Sequence, residues 1–367
     1  MKQGENGKPL PHGRATSFDI AYRAGVSQST VSRALRGDKV INEATRRRIE
    51  AIAQEMNYQV DKNASALRRQ RTNTLALLFF EDPTPDDSNI NPFFLSMIGS
   101  IARACAWRGY DVLTSFQQLS NDWHKDYEDS RKADGLILLG YGDYLVYRAK
   151  LEKLVQQGTH FVRWGAVEPG QPGLSVGSDN FSGSRDAVRH LIAGGCKAIA
   201  FLGTASSHFP EFFERYRGYT AALEEAGLTP DPVLRVDAHF TESAGFEAAE
   251  TLIGRGISFD AVFAASDLIA VGAMRVLQER GFRIPDDVAV AGFDDIPIAR
   301  HSNPPLTTVA QDVRQAGETL VETLLAQVRG EPEESKILPT RLVCRRSSGL
   351  LPDPQHQKPG DQEAAPA

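Results

Sequence analysis

From residue 74 onward, short apolar runs alternate with longer segments in which apolar positions recur every three or four residues. Amphipathic segments such as 93–109 and 215–228 predict helices. Continuously apolar strands separated by helices are typical of parallel sheets covered on both faces. We therefore expect an α/β core over 74–349, with two lobes of about 140 residues each and a cleft between them. The runs predict strands at 74–80, 110–116, 135–140, 160–165, 198–203, 233–237, 261–266 and 288–293.

The first 60 residues have helical periodicity alone. An apolar face that includes Ile20 and Ala24 predicts a first helix, which begins near residue 18 with Thr16 or Ser17 as its cap. Gly25 follows directly and supplies a turn, because a residue without a side chain tolerates positive φ. The sequence therefore predicts an all-α head that opens with a helix, a turn and a second helix.

The second helix begins after Ser27 and has two chemically different faces. Val31 and Leu35 form its inward face, and a third helix with its own apolar stripe begins after Asn42. A helix that enters the major groove needs small or hydrogen-bonding groups for close approach, and Arg to read guanine or hold phosphate. The opposite face of the second helix has this composition, with Ser29, Ser32, Arg33 and Arg36.

Charge divides the chain at the same place. The whole chain has a formal net charge of −6, but residues 1–72 carry +7 and residues 73–367 carry −13. A basic head on an acidic body indicates that the head alone meets a polyanion. A solvated basic face would give the same charge, so the two-faced second helix is what favours DNA.

The string DIAYRAGVSQSTVSRAL at 19–35, followed by 42–58 and 64–67, resembles the DNA-binding head of the lac repressor (LacI/GalR) family. The core resembles the sugar-binding core of that family, which is akin to periplasmic binding proteins. The resemblance implies a helix-turn-helix domain over 15–60, a hinge helix and linker over 61–73, and a two-lobed effector-binding and dimerisation core over 74–349. Residues 1–14 and 350–367 are rich in Pro, Gly, Gln and charge, a composition that predicts disordered tails.

The resemblance also implies which head residues contact DNA. Base-reading positions of the family match Gln28, Ser29 and Arg33, and Arg36 lies on the same face. In the family, the hinge helix folds when two subunits occupy DNA, and its leucine, here Leu67, wedges into the minor groove beside Ala64 and Arg68. Positions that hold phosphates match Thr16, Ser27, Thr30, Ser32, Asn42, Thr45 and Tyr58.

Effector-binding candidates are matched to the family in the same way. Carboxylates, an arginine and an amide hydrogen-bond sugar hydroxyls, while aromatic rings cover the apolar side of a sugar ring. Alternatives stay open: Asp179 caps a helix, Phe93 packs in the core, or Arg215 forms a surface ion pair. The candidates are Phe93, Asp179, Arg215, Phe240, Ser266, Asp267, Asp294 and Gln311, together with Trp164, which ends a strand near the cleft.

The sequence departs from the family pattern at several positions. Ser17 replaces an aliphatic residue at the start of the first helix, and Val60 replaces a proline after the tyrosine. Gly165 stands where many relatives end a strand with aspartate. These departures bear on which operator and which effector are recognised.

Several other classes of protein lack support. No apolar run approaches the ~20 residues of a membrane span, and the N-terminal segment has no apolar stretch typical of export. Three widely separated cysteines favour reduced thiols in a cytoplasm over a disulfide or zinc framework, so we expect neither a metal nor another cofactor. The motifs GxxxxGK[ST] and HExxH do not occur, so an enzyme is not expected.

The sequence therefore predicts a cytoplasmic homodimeric repressor of genes for carbohydrate uptake or catabolism. Two heads about 34 Å apart would read the half-sites of a palindromic operator. A sugar or glycoside in the cleft would reshape the lobes and weaken DNA binding, and DNA would weaken effector binding by the same factor. Two alternatives remain at this point: a regulator that needs a corepressor, and a cytoplasmic sugar-binding protein without a regulatory role.

Overall fold

The structure is a computed structural model, and it describes residues 15–58, 71–79, 90–116, 122–140 and 142–349. The chain divides into two compact units, 1–72 and 73–367. Within the described residues, no helix is both long enough and apolar enough to cross a membrane. Nor does any group of three or more His, Cys, Asp or Glu side chains in these ranges have an arrangement that would hold a metal ion.

The head consists of three helices, α1 (Ser17–Ala24), α2 (Gln28–Ala34) and α3 (Glu43–Glu55). Ile20, Val31 and Ile49, one from each helix, are completely buried against one another's helices and form the centre of a small core. Apolar positions on one side of each short helix therefore hold the head together, and the opposite sides stay available to solvent.

The start of α1 is set by Thr16. The Thr16 hydroxyl caps the helix by accepting from the Asp19 N–H, and the Asp19 carboxylate accepts in return from the Thr16 N–H at 2.8 Å. Since both hydrogen bonds form, the cap is Thr16 and the helix begins at Ser17. At the other end, Gly25 adopts φ 62°, the left-handed conformation that the turn requires.

The N-terminal lobe of the core contains a six-stranded parallel sheet in the order β11-β5-β4-β3-β1-β2. A single π-helical turn at His124–Asp129 precedes β3. The strands are β1 (Thr74–Phe79), β2 (Asp111–Phe116), β3 (Leu136–Leu139), β4 (Phe161–Trp164), β5 (Leu174–Ser178) and β11 (Lys336–Leu338), and the helices are α4 (Pro92–Trp107), α5 (Tyr144–Gln156) and α11 (Val313–Arg329).

The C-terminal lobe contains a second six-stranded sheet in the order β12-β10-β9-β8-β6-β7. Its strands are β6 (Ile199–Leu202), β7 (Arg235–Val236), β8 (Ala261–Ala264), β9 (Ala289–Asp294), β10 (Thr307–Gln311) and β12 (Thr340–Val343). Its helices are α6 (Asn180–Ala193), α7 (Pro210–Glu225), α8 (Glu242–Gly254), α9 (Asp267–Glu279) and α10 (Pro297–His301).

The chain passes between the two lobes three times. Residue Asp179 joins β5 to α6, and Asp312 joins β10 to α11. The third passage is at Pro339, between β11 in one sheet and β12 in the other. Asp179 and Asp312 each cap the helix that follows, so both passages end in a fixed helix start.

The expected two-lobed α/β core is confirmed, with differences in detail. All eight predicted strands are present, but 232–234 is a 3₁₀ turn and only Arg235–Val236 remains strand there. Four strands were not predicted, β5, β10, β11 and β12, because their serine, threonine and charged residues break the apolar pattern. β12 also runs antiparallel to β10, whereas the strand–helix alternation predicted parallel pairs throughout.

Candidate functional site

The exposed side of α2 presents the polar and basic residues that the sequence assigned to DNA. Val31 and Ala34 are buried, which turns Ser29, Arg33 and Arg36 outward as exposed side chains. Within the described residues, neither the Arg33 nor the Arg36 guanidinium forms an ion pair. This face combines small hydroxyls with two cations, as major-groove contact requires.

The hydroxyl of Ser27 organises the start of α2. Its Oγ atom accepts from the Thr30 N–H at 3.2 Å and lies 2.8 Å from the hydroxyl oxygens of both Ser29 and Thr30. Three of the expected DNA-contacting residues thus share one hydrogen-bond cluster. Such a cluster limits the rotamers of the exposed hydroxyls before any partner arrives.

Gln28 is held by α1. Its Nε2 atom donates to the Ser17 hydroxyl at 3.1 Å, so the amide is fixed against the neighbouring helix while its oxygen stays free of that bond. Ser17 is one of the departures from the family pattern, and an aliphatic side chain there would have no oxygen to accept this bond. The serine at position 17 therefore helps to orient the residue expected to read bases.

The remaining head candidates lie at helix starts or in the head core. The side-chain oxygen of Asn42 caps α3 by accepting from the Thr45 N–H at 2.8 Å. Asn42 and Thr45 therefore both lie at the start of this helix. Ser32 is partly exposed on α2, and Tyr58 is partly buried against the apolar core. The expected hinge contacts, Ala64, Leu67 and Arg68, lie outside the described residues.

In the core, Arg215 and Asp294 form a buried pair. Their side chains are each only 1% exposed, and the Arg215 Nη1 atom lies 3.4 Å from the Asp294 Oδ1 atom. Gln311 donates from Nε2 to the same carboxylate oxygen at 2.6 Å, and Asn180 accepts from the Arg215 Nε atom at 2.8 Å. The structure thus brings three of the predicted effector residues into one network, and the alternative of a surface ion pair for Arg215 is wrong.

Aromatic rings enclose the Arg215 guanidinium. Its carbon lies 3.8 Å from the centre of the Phe293 ring and 5.1 Å from that of Phe212. The Phe212 ring in turn contacts Phe240, with 6.3 Å between ring centres. Phe240 therefore reaches the arginine through Phe212, and the rings shield the charges from water, which strengthens their interaction.

Asp294 has an unusual backbone conformation and a shifted pKa. Burial raises the pKa of its carboxyl group to about 6, although Arg215 and Gln311 act in the opposite direction. Asp294 and Asp295 have φ angles of 121° and 52°, in the region that favours glycine. Backbone strain of this kind persists where surrounding contacts enforce it. Here the contacts of Asp294 hold one residue, and a hydrogen bond from Arg345 Nη2 to the Asp295 carboxylate at 2.6 Å holds the next.

Ser266 and Asp267 make their hydrogen bonds inside the C-terminal lobe. Both are completely buried, and the Ser266 hydroxyl caps α9. The Asp267 carboxylate accepts from the Thr308 hydroxyl at 2.5 Å and from the Ile296 N–H at 2.9 Å. Burial and the neighbouring Asp294 charge raise its pKa well above the ordinary value. Both oxygens are thus used inside the lobe, where they tie three segments together.

The aromatic candidates of the N-terminal lobe lie together. The ring centres of Phe93 and Trp164 are 5.9 Å apart, and both side chains belong to the apolar core. Asp179 caps α6 by accepting from the Ser182 N–H at 2.9 Å. In the structure, Phe93 therefore packs in the core and Asp179 caps a helix, as the two alternatives stated.

Two charged residues near the lobe junction were missed by the sequence analysis. Arg163 on β4 is completely buried, and Glu211 at the start of α7 accepts from the Ala166 N–H of the other lobe at 2.8 Å. An arginine within a four-residue strand was the available signal, because a cation rarely occupies a buried strand position. Asn180, which holds Arg215, follows Asp179 directly, and its residue type alone does not indicate that role.

Comparisons with known proteins agree with this architecture. Residues 18–61 match the family model described as bacterial regulatory proteins, lacI family. Residues 188–348 match the model described as a periplasmic binding protein-like domain. The HTH-type transcriptional regulator CelR of Thermobifida fusca is 32% identical over 342 residues, which cover 91% of this chain and 98% of that protein.

Solved structures are similar over the same extent. A complex of the transcriptional regulator CelR with cellobiose has a TM-score of 0.67 and 31% identity, covering 91% of this chain and 100% of that one. The lac repressor dimer bound to operator and the anti-inducer ONPF has a TM-score of 0.78 and 25% identity, covering 92% and 99%. The chain therefore belongs to the lacI family of bacterial regulatory proteins and is a helix-turn-helix transcriptional regulator with an effector-binding core.

Proposed function

We propose that this chain is a homodimeric repressor that binds a palindromic operator through α2 and is released by a sugar-like effector in the cleft of the core. The observation that carries the DNA-binding part is the exposed face of α2. Ser29, Arg33 and Arg36 project from it, and the Ser27 cluster and Ser17 orient the polar groups beside them. The expected wedge at Leu67 lies outside the described residues and stays a prediction.

The effector part rests on the network around Arg215. Guanidinium, carboxylate and amide groups supply both donors and acceptors, and the adjoining Phe293 and Phe212 rings supply apolar faces. This combination suits a polyhydroxylated ring, which has hydroxyls at its edge and C–H groups on its faces. A CelR structure that contains cellobiose makes that disaccharide a sensible first effector to test.

Release of DNA would follow from lobe movement. The chain crosses between the lobes at Asp179, Asp312 and Pro339, so these three short connections have to bend when the cleft changes shape. An effector that favours one lobe arrangement shifts the balance between DNA-binding and released dimers by its differential affinity for the two. The chain performs this role by binding alone, without catalysis, in the cytoplasm where operator DNA is accessible.

A salt-controlled selection on random duplexes tests the proposal. The full-length protein is equilibrated with the pool at several salt concentrations, and the selected duplexes are titrated again with a panel of sugars that begins with cellobiose. We expect a palindrome to be selected and one sugar to weaken its binding. A sugar that strengthens binding would indicate a corepressor, and sugar binding without any sequence preference would favour the non-regulatory alternative.

A further inference from the structure

Arg163 is a buried cation on the face of β4 that packs against α5. Its side chain is completely buried. The guanidinium stacks over the Tyr144 ring at 5.1 Å, and its Nη2 atom donates to the Ala166 carbonyl at 2.8 Å and to the side-chain oxygen of Gln171. One of its three nitrogens is therefore occupied by neutral oxygens.

The other two nitrogens of Arg163, Nε and Nη1, have no hydrogen bond of ordinary geometry. The nearby Tyr147 hydroxyl interacts with the guanidinium, and the hydroxyl of Tyr144 is itself buried without a hydrogen-bond partner. No carboxylate in the described parts of the chain lies within 4 Å of Arg163. Burying a cation without an anion at hydrogen-bond distance is costly, so the surroundings of Arg163 favour a negative group that comes closer.

The Nη1 atom of Arg163 faces the junction of the two lobes. A Cβ atom built on Gly165 would lie 2.6 Å from the Arg163 Nη1 atom and 2.8 Å from the Glu211 Oε1 atom. The guanidinium of one lobe and a carboxylate of the other thus approach the same glycine from different sides. The Glu211 oxygen is held there by the Ala166 N–H, which is a further donor at this place.

The same helix connects this place with the Arg215 network. Glu211 precedes Arg215 by one turn on α7, so both residues lie on the same helix face. A ligand held by Arg215 and Asp294 would therefore extend, on the side of the N-terminal lobe, towards Arg163 and the place that Glu211 occupies. Arg163 is therefore placed to contact a substituent of that same ligand.

We propose that Arg163 and the Ala166 N–H recognise an anionic group, a carboxylate or a phosphate, on the sugar-like effector. The inference rests on the proposed function, because it assigns chemistry to the same cleft. Guanidinium groups form charge-assisted hydrogen bonds with such anions, and Nη1 is the donor that lies at this place. Glu211 occupies the adjoining position with its own carboxylate, and it leaves when the lobes part and the ligand's anionic group takes its place.

Entry requires the lobe contacts beside this position to open. The Tyr144 N–H donates to the His208 carbonyl at 2.9 Å, and the His208 Nδ1 atom lies 2.7 Å from the Asp143 carboxylate. Both contacts join the start of α5 to the segment that precedes α7. They are exposed at their outer side, so a ligand in solution reaches Arg163 once they separate.

The test measures calorimetric binding of matched neutral and acidic probes to the full-length protein. The pairs are glucose with gluconate, glucose with glucose 6-phosphate, and cellobiose with cellobionate, and inorganic phosphate serves as an anion without a sugar. We expect at least tenfold tighter binding of one acidic member than of its neutral parent. In Arg163→Met this preference should fall to less than twofold, whereas Arg148→Met, which removes an exposed arginine of α5, should leave it unchanged.

Gly165→Ala provides a second variant if Arg163→Met does not fold. Its new Cβ would displace the guanidinium, so it should reduce the same preference while the charge remains. Equal binding of neutral and acidic members, or a preference that survives both variants, would overturn the inference. A neutral sugar that releases the operator would then leave the proposed function intact, whereas a failure of every probe to bind or to release the operator would overturn both.

Discussion

Glu211 and Arg215 lie one turn apart on α7, yet their charged groups act in different lobes. The Glu211 carboxylate accepts from the Ala166 N–H of the N-terminal lobe at 2.8 Å, and the Arg215 guanidinium lies 3.4 Å from the Asp294 carboxylate of the C-terminal lobe. A small rotation of α7 would therefore change both contacts together. A ligand in the cleft that shifts α7 would therefore change contacts in both lobes.

Replacement of Arg215 by alanine should destabilise the core and abolish the response to effector. The change leaves the buried Asp294 carboxylate without its cationic partner, and breaking a buried pair in this way costs about 3–5 kcal/mol. Urea denaturation at pH 7 measures the loss, and operator binding with and without sugar measures the response. Arg217→Ala is the matched control, because Arg217 is exposed on the same helix and forms an ion pair with Glu214 at the surface. A stable, normally responsive Arg215→Ala protein would remove Arg215 from the effector site.

Asp267 should make the core less stable as the pH rises. Because burial and the Asp294 charge raise its pKa in the folded protein, the folded state binds more protons than the unfolded chain above the ordinary value of 3.8. Its contribution is fully present below that value and is lost as the pH rises towards the raised pKa. The loss amounts to about 1.4 kcal/mol for each pH unit that separates the folded-state pKa from the unfolded-state pKa.

Asp267→Asn isolates this effect. An amide offers one oxygen for the Ile296 N–H and one NH₂ group for the Thr308 oxygen, without a charge to bury. We expect the free energy of unfolding of the variant, minus that of the original protein, to increase between pH 4.5 and pH 7.5. Denaturation curves at several pH values provide the comparison, and a constant difference across this range would contradict the raised pKa.

Arg33→Ala should weaken binding to the selected operator more than binding to random DNA. Arg33 is exposed on α2, and loss of a base-reading arginine costs about 1–3 kcal/mol, or roughly 5- to 150-fold in affinity. Fluorescence anisotropy with selected and scrambled duplexes at one salt concentration measures both. Arg23→Ala is the control, since the Arg23 guanidinium is engaged with Glu55 at 2.7 Å. An equal loss on both duplexes would assign Arg33 to phosphate contact instead.

Gly218→Ala should destabilise the packing of α7 on α6. An added Cβ would lie 2.2 Å from the Phe181 carbonyl oxygen and 2.9 Å from the Ser184 Cβ atom, so the helices would have to separate. Overpacking of this kind costs about 1–3 kcal/mol. Gly254→Ala in α8 meets nothing within 4 Å, so it should be neutral or stabilising by up to about 1 kcal/mol. Thermal unfolding of both variants provides the measurement, and equal midpoints would contradict the close contact.

The sequence pattern was sufficient to predict strands whose buried residues are apolar. β1 and β3 consist almost entirely of apolar residues, mostly leucine, and each was predicted within one or two residues. β10 was not predicted, although Thr307, Thr308 and Gln311 are buried, because their partners Arg345, Asp267 and Asp294 come from distant parts of the chain. Polar burial depends on which segments meet in three dimensions, and periodicity along one segment does not reveal that.

The same distinction applies to the candidate site. The resemblance assigned Arg215, Asp294, Gln311 and Asp267 to the effector site, and that role stays a prediction for all four. The first three share one hydrogen-bond network, whereas the oxygens of Asp267 are used within the lobe. Arg163 within a short strand was a signal for a buried cation, but nothing near it in the sequence indicates which groups surround it. Its position depends on Gly165 and on Glu211, which lies 48 positions further along the chain.

The three passages of the chain between the lobes also affect how the protein is synthesised. The N-terminal lobe takes α11 and β11 from residues 313–338, after the whole chain of the other lobe up to β10 has been made. Neither lobe is complete while the ribosome is still producing the first 312 residues. A nascent chain that stops there would expose the apolar surface that α11 covers, so folding of both lobes has to wait for nearly full-length translation.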